Sequence, residues 1–148
     1  MSRPSRSLGV ALVLAAAFGT AGATSGPALD YAVTCQGCHR ADGTGTPGTV
    51  PALAGSVGRF LRVPGGREFL AQVPGVAQAP LDDAALAAVL NWILERFGGD
   101  DVPKEFAPYT ADEIGRLRRR PLTKVEGVRS ELIQAIERSR GPARRSGP

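Results

Sequence analysis

Apolar residues recur along this chain in blocks of helical spacing, set apart by glycine and proline. Leu29, Tyr31, Ala32 and Val33 lead a block that predicts a helix over 28–40. From Asp42 to Val50 the run of Gly43, Gly45, Pro47 and Gly48 reads as a loop, which ends at Pro51-Ala52-Leu53-Ala54-Gly55. Val57, Phe60 and Leu61, then Phe69, Leu70 and Val73, predict helical turns over 56–63 and 66–73, parted by Pro64-Gly65-Gly66. Residues 74–81 read as a second loop. A strong helix follows, with Leu86, Val89, Leu90, Ile93 and Leu94 on its apolar face. Asp82 and Asp83 in its first turn complement the helix dipole, and Gly98-Gly99 end it.

Beyond an acidic, proline-bearing connector from Asp100 to Pro108, Thr110-Ala-Asp-Glu113 forms a capping box that opens a short helix through Arg119. Val125, Val128, Leu132 and Ile136 line one side of a further helix from about Lys124 to Arg138, and residues 141–148 are expected to be disordered. The pattern predicts an all-α chain. Its first residues differ from the rest. Arg3 and Arg6 precede an apolar run from Leu8 to Phe18 and the small residues Ala21-Gly22-Ala23, the layout of a secretory signal cleaved after Ala23. The run is short for a span of about 20 residues, so no stable membrane insertion is expected after cleavage. The chain divides into a signal at 1–23, a domain at 24–98 and a charged helical extension at 99–148.

Of the 148 residues 43% are hydrophobic but only 5% aromatic, which suits one small domain with appendages. A core of this size is marginal alone, and a large apolar cofactor would change that. The net charge of +4 is uneven: residues 24–110 carry −3, residues 111–148 carry +5, and the signal supplies +2. The basic excess belongs to the extension, and no nucleic-acid partner is expected.

The whole inventory of 2 Cys and 1 His falls in five residues, Cys35-Gln36-Gly37-Cys38-His39. This is C-x-x-C-H, the attachment sequence of a c-type haem. One helical turn presents both thiols to the vinyl groups of the porphyrin edge, and His39 follows as the iron ligand. A thioredoxin-like pair or disulfide is the competing reading, but no strand-helix-strand unit surrounds the motif. A zinc site needs four ligands, and no second Cys or His pair exists. One covalent haem c is therefore the expected cofactor, held by Cys35 and Cys38, with His39 on the metal.

With Pro51 twelve residues after His39 and Leu53 completing P-x-L, the stretch from about 28 to 98 resembles the class I cytochromes c. The resemblance implies a small all-helical fold around one haem, with Pro51 on the proximal side, where a backbone carbonyl accepts the histidine Nδ1–H and fixes its tautomer. It also implies that the strong helix crosses the first helix, with Trp92 and Tyr31 in contact. Arg59, Arg62 and Arg67 are candidate partners for haem propionates. The function implied is single-electron transfer rather than enzyme catalysis, in the periplasm after export, to or from a redox partner protein such as a dehydrogenase or respiratory-chain component.

The chain departs from the family at one place. Most members put a methionine on the far side of the iron, and here the one methionine is Met1. Water, an empty site, Gln72, Gln78, Asn91, Tyr109, Lys104 and Lys124 remain as alternatives, as does a ligand from a partner. A haem-based sensor or small-ligand-binding protein with an open distal site is the alternative function.

Overall fold

The computed structural model describes residues 26–140, so the signal expected at 1–23 and the disorder expected over 141–148 lie outside the described residues. Seven α-helices are described: α1 Pro27–Thr34, α2 Gln36–His39, α3 Gly66–Gln72, α4 Pro74–Ala77, α5 Asp83–Phe97, α6 Ala111–Leu117 and α7 Val125–Ser139. Two 3₁₀ helices, Val57–Arg62 and Gly99–Asp101, complete the set. The all-α expectation holds: among the described residues the only β pairing is one isolated bridge between Thr46 and Val50.

α5 is the axis of the molecule. Asp82 caps it by accepting from the Ala85 amide at 2.7 Å, one position earlier than the first-turn role expected of it. Leu86, Val89, Leu90, Ile93 and Leu94 are all buried, as their spacing requires. α1 packs across α5 through three rings: Tyr31 lies 5.1 Å from Trp92 and 5.6 Å from Phe97, and Trp92 meets Phe97 edge-on at 5.7 Å. Tilted and edge-on rings at these distances are the favourable arrangements for aromatic quadrupoles.

Four expectations need correction. The helix over 28–40 is two pieces, parted at Cys35, whose φ of −117° is more extended than a regular helix while its ψ of −33° stays helical. The turns over 56–63 are 3₁₀ rather than α, spanning Val57–Arg62. The loop over 74–81 contains α4, which starts with Pro74 in its first turn, where a missing amide costs nothing. The capping box stands, with the Thr110 hydroxyl accepting from the Glu113 amide at 3.2 Å, but its helix closes at Leu117 instead of Arg119.

The extension folds onto the rest of the molecule. Tyr109 and Ile114 belong to the same buried cluster as Tyr31, Leu86 and Leu90. The α7 stripe buries Leu132 and Ile136 against Phe60 and Phe69, whose rings stack 5.1 Å apart. Charge complementarity works within the chain: Arg67 pairs with Glu113, Arg118 with Asp83, and Arg140 with Asp101.

Candidate haem crevice

A cavity of about 400 Å³ opens beside the C-x-x-C-H turn, within the size range of small-molecule and cofactor pockets. Cys35, Cys38 and His39 form one edge. Val50, Pro51, Ala52, Leu53 and Val57 also line it, as do Phe60, Phe69, Leu70, Val73, Pro74 and Val76. Leu90 and Ile93 of α5 close the back. The lining is mostly apolar, with the thiols and imidazole gathered at one side.

Local geometry explains how the motif is held. The His39 amide reaches the Cys35 carbonyl at 3.0 Å, keeping the five residues in one turn. Arg40 then leaves the helix at φ +57°, a conformation that non-glycine residues rarely adopt. The buried Tyr31 hydroxyl fixes that exit by donating to the Arg40 carbonyl at 2.6 Å. The loop returns through Gly45, whose amide meets the His39 carbonyl at 3.3 Å. At φ +70°, with a Cβ that would stand 2.7 Å from the Pro51 carbonyl oxygen, this position admits only glycine. The close approach carries Pro51 next to His39. The Leu53 amide, donating to the Gly43 carbonyl at 2.7 Å, locks the P-x-L segment in place.

The electrostatics favour a neutral site. Burial lowers the proton affinity of His39 below that of ordinary imidazole, and the Pro51 carbonyl works against that shift. The carbonyl acts within electrostatic reach, yet no hydrogen bond of normal geometry closes, and His39 Nδ1 is buried without a partner. A buried, partnerless ring nitrogen beside a carbonyl is what a metal-bound imidazole would satisfy, since Nε2 ligation leaves Nδ1 as a donor. Burial, with Cys38 adding to it, pushes the Cys35 thiol up. That is the reverse of the lowered thiol acidity found in redox-active C-x-x-C pairs. Among the described residues no group of three or more His, Cys, Asp or Glu side chains is placed to hold a metal ion.

No family model matches the chain. Cytochrome c-552 of Thermus thermophilus is 38% identical over 107 residues, a match spanning 60% of this chain and 82% of the relative. A second cytochrome c-552 of Thermus thermophilus is likewise 38% identical over 107 residues, with 72% of its length covered. The chain belongs to the class I c-type cytochromes. A cytochrome of this class carries covalently bound haem c with its iron, and the apolar crevice beside Cys35, Cys38 and His39 fits that group.

The other expected contacts of this cytochrome fall elsewhere. Arg59 donates to Asp101 at 3.1 Å, and Arg62 donates to the Asp101 and Asp100 carbonyls, each at 2.7 Å. Arg67 makes a bidentate pair with Glu113 at 2.6 and 2.7 Å and lies 4.1 Å from the centre of the Tyr109 ring. None of the three lines the crevice. The alternatives for the sixth ligand also stand away from it. Asn91 bonds the Tyr109 backbone at both ends of its amide, and the Tyr109 hydroxyl donates to the Arg67 carbonyl at 2.7 Å. Gln72, Gln78, Lys104 and Lys124 are absent from the lining, and the last three are exposed.

The sequence missed Val125, Glu126 and Arg129 of α7, all of which border the crevice. One signal was available: Arg129 lies four residues after Val125, so both share a helix face next to the Val128 and Leu132 stripe.

Proposed function

We propose that this cytochrome is an exported single-electron carrier whose haem is held by Cys35 and Cys38, with His39 as proximal ligand and Pro51 as its positioning carbonyl. The observation that carries this reading is the convergence of those four residues on one apolar crevice. Cys35 and Cys38 would hold the group through thioether bonds, each thiol adding its sulfur to one vinyl carbon and its proton to the other. When bound, the haem supplies a one-electron iron couple. The chain's part is to hold His39 in one tautomer, with Nδ1 directed at Pro51, and to exclude water with the walls of the crevice. The apolar surroundings and the neutral imidazole keep change in the protein small when the iron changes charge.

Export through the 1–23 signal places attachment and function in the periplasm. Among the described residues no helix is long and apolar enough to cross a membrane. A redox partner protein, a dehydrogenase or a respiratory-chain component, completes the function.

A second reading, binding of a small exogenous ligand, is favoured by one observation. The wall formed by Leu70, Val73, Pro74 and Val76 offers no strong iron ligand, and the one methionine of the sequence is Met1. Redox titration and carbon monoxide binding on the reduced holoprotein separate the two. A reversible one-electron couple with slow or absent carbon monoxide binding supports the carrier. Rapid binding supports the open site. Absence of a reversible one-electron couple overturns the carrier reading.

A further inference from the structure

We propose that α7 is the closing wall of the haem crevice and that Arg129 is the cation that receives a haem propionate. The inference rests on the haem reading above and assigns to the extension a part in the cofactor site itself.

A haem brings two carboxylates into an otherwise apolar crevice, and buried carboxylates need cationic or donor partners. The arginines of the 3₁₀ helix and α3 are already committed: Arg59 and Arg62 to the Asp100–Asp101 turn, Arg67 to Glu113. Arg140, further along the chain at the end of α7, also turns to Asp101. Arg129 is different. It is half-buried at the rim of the crevice and is the one arginine or lysine among the described residues that lines it. Among those residues it makes no hydrogen bond or ion pair.

Glu126 stands one turn before it on the same rim, at a spacing that allows an ion pair, and the two do not close one. Glu68, the other acid on the packed elements, is exposed on α3 and acts on Arg67 and Tyr109. A half-buried guanidinium with unused donors, at the mouth of a pocket whose cofactor carries two carboxylates, has a ready bidentate partner in a propionate.

The anchoring of α7 supports the same assignment. Leu132 and Ile136 pin the helix to Phe60 and Phe69, and Phe60 and Phe69 are themselves crevice wall. The helix is thus fixed by the residues the haem would touch, which holds Arg129 at the rim.

The test uses the full-length holoprotein with Arg129→Gln and Arg129→Lys. Removing a cation near the haem stabilises the ferric state, so the Gln variant should show a lower midpoint potential than wild type. Its propionate bending bands in resonance Raman should shift as well. The Lys variant keeps the charge and loses the planar fork, so its potential should stay near wild type while the bands shift. If the Gln variant fails to mature, the Lys variant still decides through its Raman bands. Unchanged bands in every variant that retains haem overturn the proposal. Haem lost from wild type on acid extraction would instead defeat the haem reading beneath it.

Discussion

Arg118 is the bolt between the extension and the segment that leads into α5, and its removal has a calculable cost. Its guanidinium donates to the Ala77, Leu81 and Ala79 carbonyls at 3.0, 2.7 and 2.7 Å and to Asp83 Oδ1 at 3.1 Å. Ala77 and Ala79 are buried, and the Arg118 side chain is only 18% exposed. Hydrogen bonds that involve a charged group contribute about 1.5–3 kcal/mol each, net, where both partners are buried. Carbonyls on a turn recover part of that from water, which leaves about 1 kcal/mol for each of the three. The pair with Asp83, itself 45% exposed, adds roughly 0.5 kcal/mol. Arg118→Ala should therefore destabilise the holoprotein by about 3–4 kcal/mol, which lowers Tm by roughly 10 °C for a chain of this size. Arg118→Lys should recover the charge pair but at most one carbonyl bond, leaving about 2 kcal/mol lost. Urea titration followed by Trp92 fluorescence reads the change, because Trp92 sits in the α1–α5 contact. A loss below about 1 kcal/mol for Arg118→Ala would refute the assignment of Arg118 as a structural anchor.

The Arg67–Glu113 pair gives a pH signature. Its hydrogen bonds hold the Glu113 carboxyl below the usual carboxylate range, so the stabilisation is present above the unfolded-state pKa of about 4.3 and is lost as pH falls through the folded one. Wild type should lose its stability advantage over Glu113→Gln as pH falls below about 4.3 and through the lower folded-state value, and urea midpoints that run parallel for the two over that acid range would contradict the pairing. Gly66→Ala should be severely destabilising, by roughly 3 kcal/mol or more, since its Cβ would meet the Phe60 backbone and pry α3 from the 3₁₀ helix. A folded Gly66→Ala variant with an unchanged melting curve would show that this contact is relieved cheaply. The oxidised holoprotein should lack the weak far-red charge-transfer band of methionine-ligated ferric haem, and a clear band in the monomer would require Met1 to reach the iron.

What the sequence made legible follows from the range of the forces involved. α5 was readable because its apolar spacing, its capping aspartate and its terminal glycines all act within one element. The C-x-x-C-H motif was legible as five contiguous residues, whereas Pro51 entered only through the family resemblance. The break at Cys35 and the 3₁₀ geometry of Val57–Arg62 were not legible, because each depends on packing that overrides helix propensity. The arginines were the clearest loss. Arg59, Arg62 and Arg67 sit close to the motif in sequence, yet their partners lie about forty residues away in the connector and α6. Charge carries no register, so a one-dimensional pattern cannot pair it. Arg129 lies ninety positions after His39, and only the docking of Leu132 and Ile136 on Phe60 and Phe69 brings it to the crevice.

Covalent haem is the claim on which the rest depends, and intact mass spectrometry tests it most directly. The full-length chain would be expressed with a cytochrome c maturation system, extracted with acidified acetone and measured under denaturing conditions. One haem mass should remain on the chain, and after proteolysis it should lie on the peptide containing Cys35 and Cys38. Cys35→Ala and Cys38→Ala should each remove one thioether and lower the holoprotein yield. A chain that keeps both thiols and releases its haem into the extract would contradict the account.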